Sequence, residues 1–589
     1  MKKIILLAIL YFTLQAGIRA QSTANDSLNI NNINARIWAD NVNFWDHQGQ
    51  TKYMVNSSGG SITTMFNQTL QLGGIDSLNQ LHYSYVEYGG NNVNSFQVGP
   101  ISNSYGSSFH QQYNMVWKIN RCTIDSFIQF NGNSNYIVPD IIKYWPAHGD
   151  VSKGQSLYLA PFYDINNDGI YDYQSGDYPL IKGDQAIFYI FNDDTIPSTS
   201  TGLNPLKVEV LVMAYAFSAD CDTNSALRNT IFFNYRIRNR SNNTYTNTYL
   251  KLFSDIDIGN GYNDRVGCDV KRSAYFGYNA ANSNYDSVKV AQGVVFLEGP
   301  YMDPDGIDNP YTNSNGAPMC DESINGSNFG DGIIDNERLG LSRFIASYNI
   351  PNNYPPDSVA NMNMAEILYA EMDGDLKVYY GSQGLQYDSL LSPKIPAKYM
   401  FLGLSDSCYL GTGGIAFPGG QNWIDTTNYP VTPHDRRGNG FTGPFTFSSG
   451  ESVELDIAMV TSFSDTGTVF AGIPELKQAI DSVRYYYFNN IDPCNGTSLG
   501  INDSYLTDII NEFAIYPNPA STYLYLRYSE DMIMTRYNIY DITGRAITGG
   551  LLNKKGLTKI SLKEINSGLY ILVIENDNQR ITKKFIVNK

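Results

Sequence analysis

Asp164, Asn166 and Asp168 put an oxygen-bearing side chain at every second position of a short segment, and Gly169 and Asp172 follow. Alternating oxygen donors with this spacing are the opening half of an EF-hand-type calcium loop. Positions 1, 3 and 5 supply side-chain oxygens, and a glycine at position 6 permits the sharp turn. The backbone carbonyl of position 7 (Ile170) and the side chain of position 9 (Asp172) continue the shell. Position 12, where a bidentate Glu belongs, is Ser175, so the shell must be closed from elsewhere; Asp177 is the nearest candidate. The expected metal set is Asp164, Asn166, Asp168, Ile170, Asp172 and Asp177, with calcium as the ion. An Asx-rich turn without an ion uses the same residues.

Three further acidic clusters offer hard oxygen donors. Asp255, Asp257 and Asp264 precede Cys268-Asp269; Asp303, Asp305 and Asp308 sit in YMDPDGIDNP; Asp331, Asp335 and Glu337 sit in FGDGIIDNE. Each can ligate calcium, supply acid and base to a glycosidic bond, or face solvent from a loop. Glycoside cleavage needs two carboxyls about 5–9 Å apart across the bond. Spacing along a chain gives no such distance, so catalytic residues are left unassigned.

Nucleophile chemistry has less support. Gly496-Thr497-Ser498-Leu499-Gly500 matches G-x-S-x-G, but it lacks the preceding strand and following helix of a nucleophile elbow. His47, His82, His110, His148 and His434 form no HExxH or HxH pair for zinc, and His434-Asp435 beside Arg436 and Arg437 reads as a loop. No P-loop or dinucleotide fingerprint occurs. Tyr485-Tyr486-Tyr487-Phe488 and Tyr83, Tyr85 and Tyr88 present flat faces suited to sugar rings and equally to strand interiors.

The elements that must hold these residues are mostly strands. Ile231, Phe233, Tyr235 and Ile237 alternate with Phe232, Asn234, Arg236 and Arg238. Val453, Leu455, Ile457 and Met459 alternate with Glu454, Asp456 and Ala458. Period two over such runs predicts half-buried antiparallel strands, and Val208 to Phe217 and Tyr245 to Phe253 add two more. One helix stands out after Pro474, with Leu476, Ile480, Val483 and Tyr487 on one face. With 51 Gly, 45 Tyr and 16% charged residues, the expected class is all-β: a β-sandwich body with a few helices.

Residues 21–35 read as a flexible mature N-terminus and 36–489 as the β-rich body, with length for two or three sandwich domains. A polar linker over 490–512 leads to a tail at 513–589. That tail carries 11 Lys+Arg against 6 Asp+Glu, whereas residues 21–512 carry 26 against 51. An acidic body argues against nucleic acid, whose phosphates demand a basic footprint. It suits an extracellular protein or one that binds divalent cations. The six cysteines, Cys122, Cys221, Cys268, Cys320, Cys408 and Cys494, all lie in the body without a CxxC pair, which points to disulfides rather than a zinc ribbon.

At the N-terminus, Lys2 and Lys3 precede an apolar run from Ile4 to Leu14 that is too short to cross a bilayer. Residues 1–20 are therefore expected to be a signal peptide cut between Ala20 and Gln21. An uncleaved anchor is the alternative.

From Phe513 the chain reads FAIYPNPASTYLYLRY, then YNIYDITGRAI, then ISLKEINSGLYILVIENDNQRITKKFIVNK. These short β-branched and aromatic runs, bounded by turn residues, predict a small Ig-like sandwich of about seven strands. The order of pieces resembles the type A C-terminal sorting domain of the type IX (Por) secretion system in the Bacteroidetes. The matching positions are Tyr516, Pro517, Asn518 and Pro519, then Tyr540 and Asp541 with Gly544 and Arg545. Leu562, Gly568 and Tyr570 follow, with Lys584, Phe585 and Lys589 at the close. The resemblance implies recognition by the type IX secretion machinery and removal of the tail by a sortase-like protease. It further implies a body that is released, or joined to surface lipopolysaccharide, at the exterior of the outer membrane.

The body is similar to uncharacterised Bacteroidetes surface proteins with such a tail. This rests on Asp164 to Gly169, Gly176-Asp177-Tyr178-Pro179, Ser254-Asp255, Val266-Gly267-Cys268-Asp269 and Glu298-Gly299-Pro300. That likeness brings no known reaction. The expected function is a calcium-stabilised binding, adhesion or structural protein at the cell surface, with a glycan or protein ligand. A secreted hydrolase, glycosidase or peptidase, with its catalytic residues in the acidic loops, is the alternative.

Overall fold

A computed structural model describes residues 23–57, 60–88, 94–166, 168–194, 204–262, 264–279, 288–316, 319, 321–348, 399, 435–465, 467–468 and 470–491. In the tail it describes 514–516, 520, 522–527, 536–541, 545–552, 557–575 and 580–587. The protein is built from antiparallel sheets, with four α-helices among the described residues.

The largest sheet runs in the order Asp264–Asp269, Ala274–Asn279, Lys289–Glu298, Ser452–Ser464, Thr230–Asn239, Val208–Ala216, Gln185–Asn192 and Gln97–Val98; Trp117–Asn120 also pairs with Gln185–Asn192. A five-stranded sheet runs Arg343–Tyr348, Arg436–Phe447, Tyr245–Asp255, Asn67–Ile75 and Leu81–Ser84. The inner faces of the two sheets share one core, in which Leu70, Leu252 and Phe441 meet Phe233, Tyr235 and Ile457. This is sandwich packing, driven by removing two alternating apolar faces from water.

The N-terminal segment departs from expectation. Instead of a flexible start over 21–35, Asn25–Leu28 forms a strand paired with Ile33–Trp38, and Leu28 and Ile33 are buried in the sandwich core. Its Asn- and Ser-rich composition hid the two apolar anchors.

The central strand Thr230–Asn239 is buried along its whole length rather than on one face. Ile231, Phe233, Tyr235 and Ile237 enter the sandwich core, while Phe232 joins a second core on the outer face of the large sheet. That face is covered by Ser107–Tyr113, Arg121–Phe130, the turn around Trp145 and Leu159, and the helix Gly472–Asn489. The last of these buries Leu476, Ile480, Val483 and Tyr487, the face its spacing predicted. Gly293 makes room for it, since a Cβ there would lie 3.3 Å from Leu476 Cδ1.

Under the cover, the polar residues of the central strand find ionic partners. Arg236 Nη2 lies 2.7 Å from Glu454 Oε1, and Asn234 Nδ2 donates to Asp456 at 3.1 Å. Glu209, fully buried, accepts from Arg238 at 3.2 Å, Arg240 at 3.0 Å and the Ile101 amide at 3.0 Å. Buried charge is tolerable here because each of Arg236, Arg238, Glu209 and Glu454 has an oppositely charged partner within 3.2 Å. Cys221 is disulfide-bonded. Among the described residues no helix is long and apolar enough to cross a membrane.

Candidate cation sites and the C-terminal unit

The Asp164–Asp177 segment is the loop of a hairpin. Phe162–Tyr163 pairs with Tyr178–Pro179, so Asp164 and Asp177 stand at the two sides of its neck. Asp164 Oδ2 accepts the Gly169 amide at 2.6 Å and Oδ1 accepts Asp168 N at 3.3 Å. Asp168 Oδ1 accepts Ile170 N at 2.8 Å. Gly169 has φ +76°, the left-handed conformation that the turn position demands. Asp172 accepts from the Ser175 hydroxyl at 2.8 Å, so the residue at position 12 braces the side chain at position 9.

Asp177 is fully buried and accepts two amides, Ile165 N at 3.0 Å and Asp172 N at 2.8 Å. Burial raises its carboxyl above the ordinary range. The two amides oppose that shift, and the nearby Asp164 and Asp168 add to it. The loop is anchored to the cover layer: His148 Nε2 accepts Tyr171 N at 2.8 Å, and the Tyr171 hydroxyl donates to Ile142 O at 2.5 Å. Asp164, Asp168, Asp172 and Asp177 thus share one loop, with Asn166 and Ile170 exposed on it.

A tighter group lies at one end of the sandwich. Asp255, Asp257 and Asp435 each place a carboxylate oxygen within 4.8 Å of the others, the one such group of three among the described residues. Register brings them together, because Asp255 closes the strand Tyr245–Asp255 and pairs with Arg437, two residues after Asp435. Arg437 Nη2 lies 3.1 Å from Asp435 Oδ2, and its Nε lies 3.7 Å from Asp255 Oδ1. Tyr88 donates its hydroxyl to Asp255 Oδ2 at 2.7 Å.

Asp264 opens the adjoining strand of the large sheet, is fully buried, and accepts Ile258 N at 3.0 Å. Burial, then the Asp257 charge, pushes the Asp255 and Asp264 carboxyls well above their usual range. Burial and Asp435 bring Asp257 to about 7. Sequence reading grouped Asp255, Asp257 and Asp264 but left Asp435 in a loop; only strand pairing reveals the fourth member.

The two remaining acidic clusters are one structure. Asp335 Oδ1 accepts the amides of Asp305 and Gly306, both at 2.8 Å, and Glu337 accepts the amide of Asn309. Asp308 in turn accepts Gly330 N at 2.8 Å and Gly332 N at 2.7 Å. Each loop clasps the backbone of the other. Asp303 instead ties to Thr446, whose amide and hydroxyl donate at 2.6 and 2.7 Å.

The aromatic candidates divide. Tyr83 and Tyr487 are core residues, Tyr88 belongs to the acidic group, and Tyr485 is exposed. The G-x-S-x-G segment, His434, the Ala20–Gln21 cleavage site and residues 492–512 of the 490–512 linker lie outside the described residues.

In the tail, Ala514–Tyr516, Tyr523–Arg527 and Leu557–Ser561 form one sheet; Ala546–Leu551, Arg536–Asp541, Gly568–Glu575 and Arg580–Val587 form the other. Between them Leu524, Leu526, Ile539, Ile560, Leu572, Ile574 and Phe585 make a separate core. Asp541 and Arg545 are tied together, with Arg545 N and Nε each 3.1 Å from the Asp541 carboxylate. Tyr570 is buried and donates its hydroxyl to Asn566 O at 2.9 Å. The Gly568 backbone has no positive φ, and a Cβ there would meet nothing closer than 3.6 Å. Pro517, Asn518, Pro519, Gly544 and Lys589 lie outside the described residues, as do the side chains of Tyr516 and Lys584.

No curated protein sequence matches the chain. Residues 514–588 match the family model of the secretion system C-terminal sorting domain, over the same span as this seven-stranded unit. The C-terminal unit is therefore a type IX secretion system sorting domain that engages that machinery, and the protein carrying it is exported to the cell surface or released beyond it.

Proposed function

We propose that the exported protein is a calcium-stabilised surface protein whose sandwich body binds a glycan or protein partner outside the cell. The observation that carries the calcium reading is the Asp164–Asp177 hairpin loop. Its carboxylates, its left-handed glycine and its closed two-strand neck are consistent with the first half of a calcium loop. The body reads better as a binder than as a hydrolase. Its tightest carboxyl group is packed against Arg437 and Tyr88 at the sandwich end, whereas glycoside cleavage requires two carboxyls spaced either side of a bond.

On this reading, a sortase-like protease removes the sorting domain after translocation, and the body is released or joined to lipopolysaccharide. The tail's own hydrophobic core supports such a cut, since it packs without side chains of the sandwich. The test uses mature protein recovered from the surface or medium of the native host. Retention on a glycan or matrix-protein array in calcium, lost in chelator, is expected. Turnover on a broad glycan and peptide panel would overturn the binding reading.

A further inference from the structure

We propose that Asp255, Asp257 and Asp435 form a second cation site, independent of the hairpin loop, which takes a hard divalent ion with calcium as the best fit. Three carboxylates held within 4.8 Å of one another at the sandwich end repel when ionised, and Arg437 alone offsets one charge, so either protons or a further cation must offset the rest. The donors are all oxygen, which selects calcium, magnesium or manganese over zinc or copper.

Unused donor capacity points the same way. Asp255 is 3% exposed; Tyr88 takes its Oδ2, and its Oδ1 faces Arg437 Nε at 3.7 Å, an ion pair beyond hydrogen-bond distance. Fully buried Asp264 likewise has an Oδ1 without a hydrogen bond. Buried carboxylate oxygens without donors are uncommon and call for an ion or water.

The charge balance is specific. Asp255, Asp257, Asp264 and Asp435 face two guanidiniums. Arg437 lies over the Tyr88 ring with its charge between Asp255 and Asp435, and buried Arg436 donates to the Asp264 carbonyl at 3.0 Å. With all four ionised, these described groups carry four negative and two positive charges, an excess that a bound divalent ion would offset; Glu87, beside Arg437, adds to the negative side. Gly261 completes the arrangement, because a Cβ there would fall 2.3 Å from Asp257 Oδ1 and displace that carboxylate. An ion here would fasten the end of the strand Tyr245–Asp255 to the start of its sheet neighbour Arg436–Phe447.

Terbium, a luminescent calcium surrogate, tests the site in the full chain after chelation. Tyr88, bonded to Asp255, and Trp45, whose ring lies 6.1 Å from Tyr88, are built-in sensitisers. Wild type should show aromatic-sensitised terbium emission that calcium displaces. Asp257→Asn and Asp435→Asn, each made in an Asp168→Ala background that silences the hairpin loop and its neighbouring Tyr163 and Tyr178, should weaken the remaining emission at least tenfold. In chelator the two Asn variants should melt at or above their Asp168→Ala parent, since repulsion is relieved, while gaining less on adding calcium.

Unchanged terbium affinity in both Asn variants would overturn the proposal, and emission already lost in the Asp168→Ala parent would assign the ion to the hairpin loop alone. Should either variant fold poorly, anomalous diffraction from terbium-soaked wild-type crystals decides. A peak among the three carboxylates upholds the site, and an occupied hairpin loop with no peak here refutes it.

Discussion

Asp164 and Asp177 stand on opposite sides of one hairpin neck, beside the stacked rings of Tyr163 and Tyr178, whose centroids are 4.9 Å apart. Their roles differ. Asp164 turns its oxygens toward the loop backbone at Gly169 and Asp168, whereas Asp177 is buried beneath and braces Ile165 and Asp172.

Two substitutions should therefore separate. Asp168→Ala should remove the hairpin's share of the calcium-dependent rise in melting temperature and leave stability in chelator nearly unchanged. That rise corresponds to about 2.7 kcal/mol at a hundredfold excess over Kd. Asp177→Ala should destabilise by about 1–3 kcal/mol even in chelator, because two amides lose their acceptor. Differential scanning calorimetry with and without calcium reads both. Coincident wild-type midpoints would reduce the loop to a turn.

The buried ionic layer gives a second expectation. Glu209→Ala strands Arg238 beneath the cover and should cost about 3–5 kcal/mol in denaturant unfolding. Glu209→Gln, which keeps acceptor and volume, should cost less. Equal and small losses would mean that water reaches this layer.

Sequence made the strands legible wherever one face was polar, and the helix after Pro474 wherever four apolar residues kept helical spacing. It failed where a second layer buried the polar face. Arg236 and Arg238 look like solvent-facing residues until Glu454 and Glu209, from neighbouring strands, appear opposite them. The hairpin loop was legible as a candidate because its oxygen-bearing residues are local. The Asp255 group was only partly so, because Asp435 arrives through the pairing of Asp255 with Arg437, which no local pattern encodes.

Asp193 predicts a pH dependence. Burial raises its carboxyl to about 6, against hydrogen bonds from Ser84, Val208 and Leu206. A raised acid binds its proton more tightly in the folded state. Its contribution is complete below the unfolded value near 3.8 and is lost as pH rises through about 6. Asp193→Asn should remove this slope, at most about 1.4 kcal/mol per pH unit, so the variant should gain on wild type between pH 4 and pH 7. Parallel stability curves would refute the assignment.

Gly568 and Arg545 separate folding from sorting. The backbone at Gly568 accommodates a methyl group, and Arg545 is exposed with only a surface ion pair to Asp541. Gly568→Ala and Arg545→Ala should each shift the tail's unfolding by less than about 1 kcal/mol, yet reduce surface delivery. Normal delivery would make both residues ordinary turn and strand positions.

The central claim is that residues 513–589 address the protein to the exterior, and localisation of a chain lacking them tests it most directly. In the native host or a close relative, surface proteolysis and fractionation should find the truncated body folded and trapped in the periplasm. The truncated body reaching the surface or medium in wild-type amounts would contradict the account.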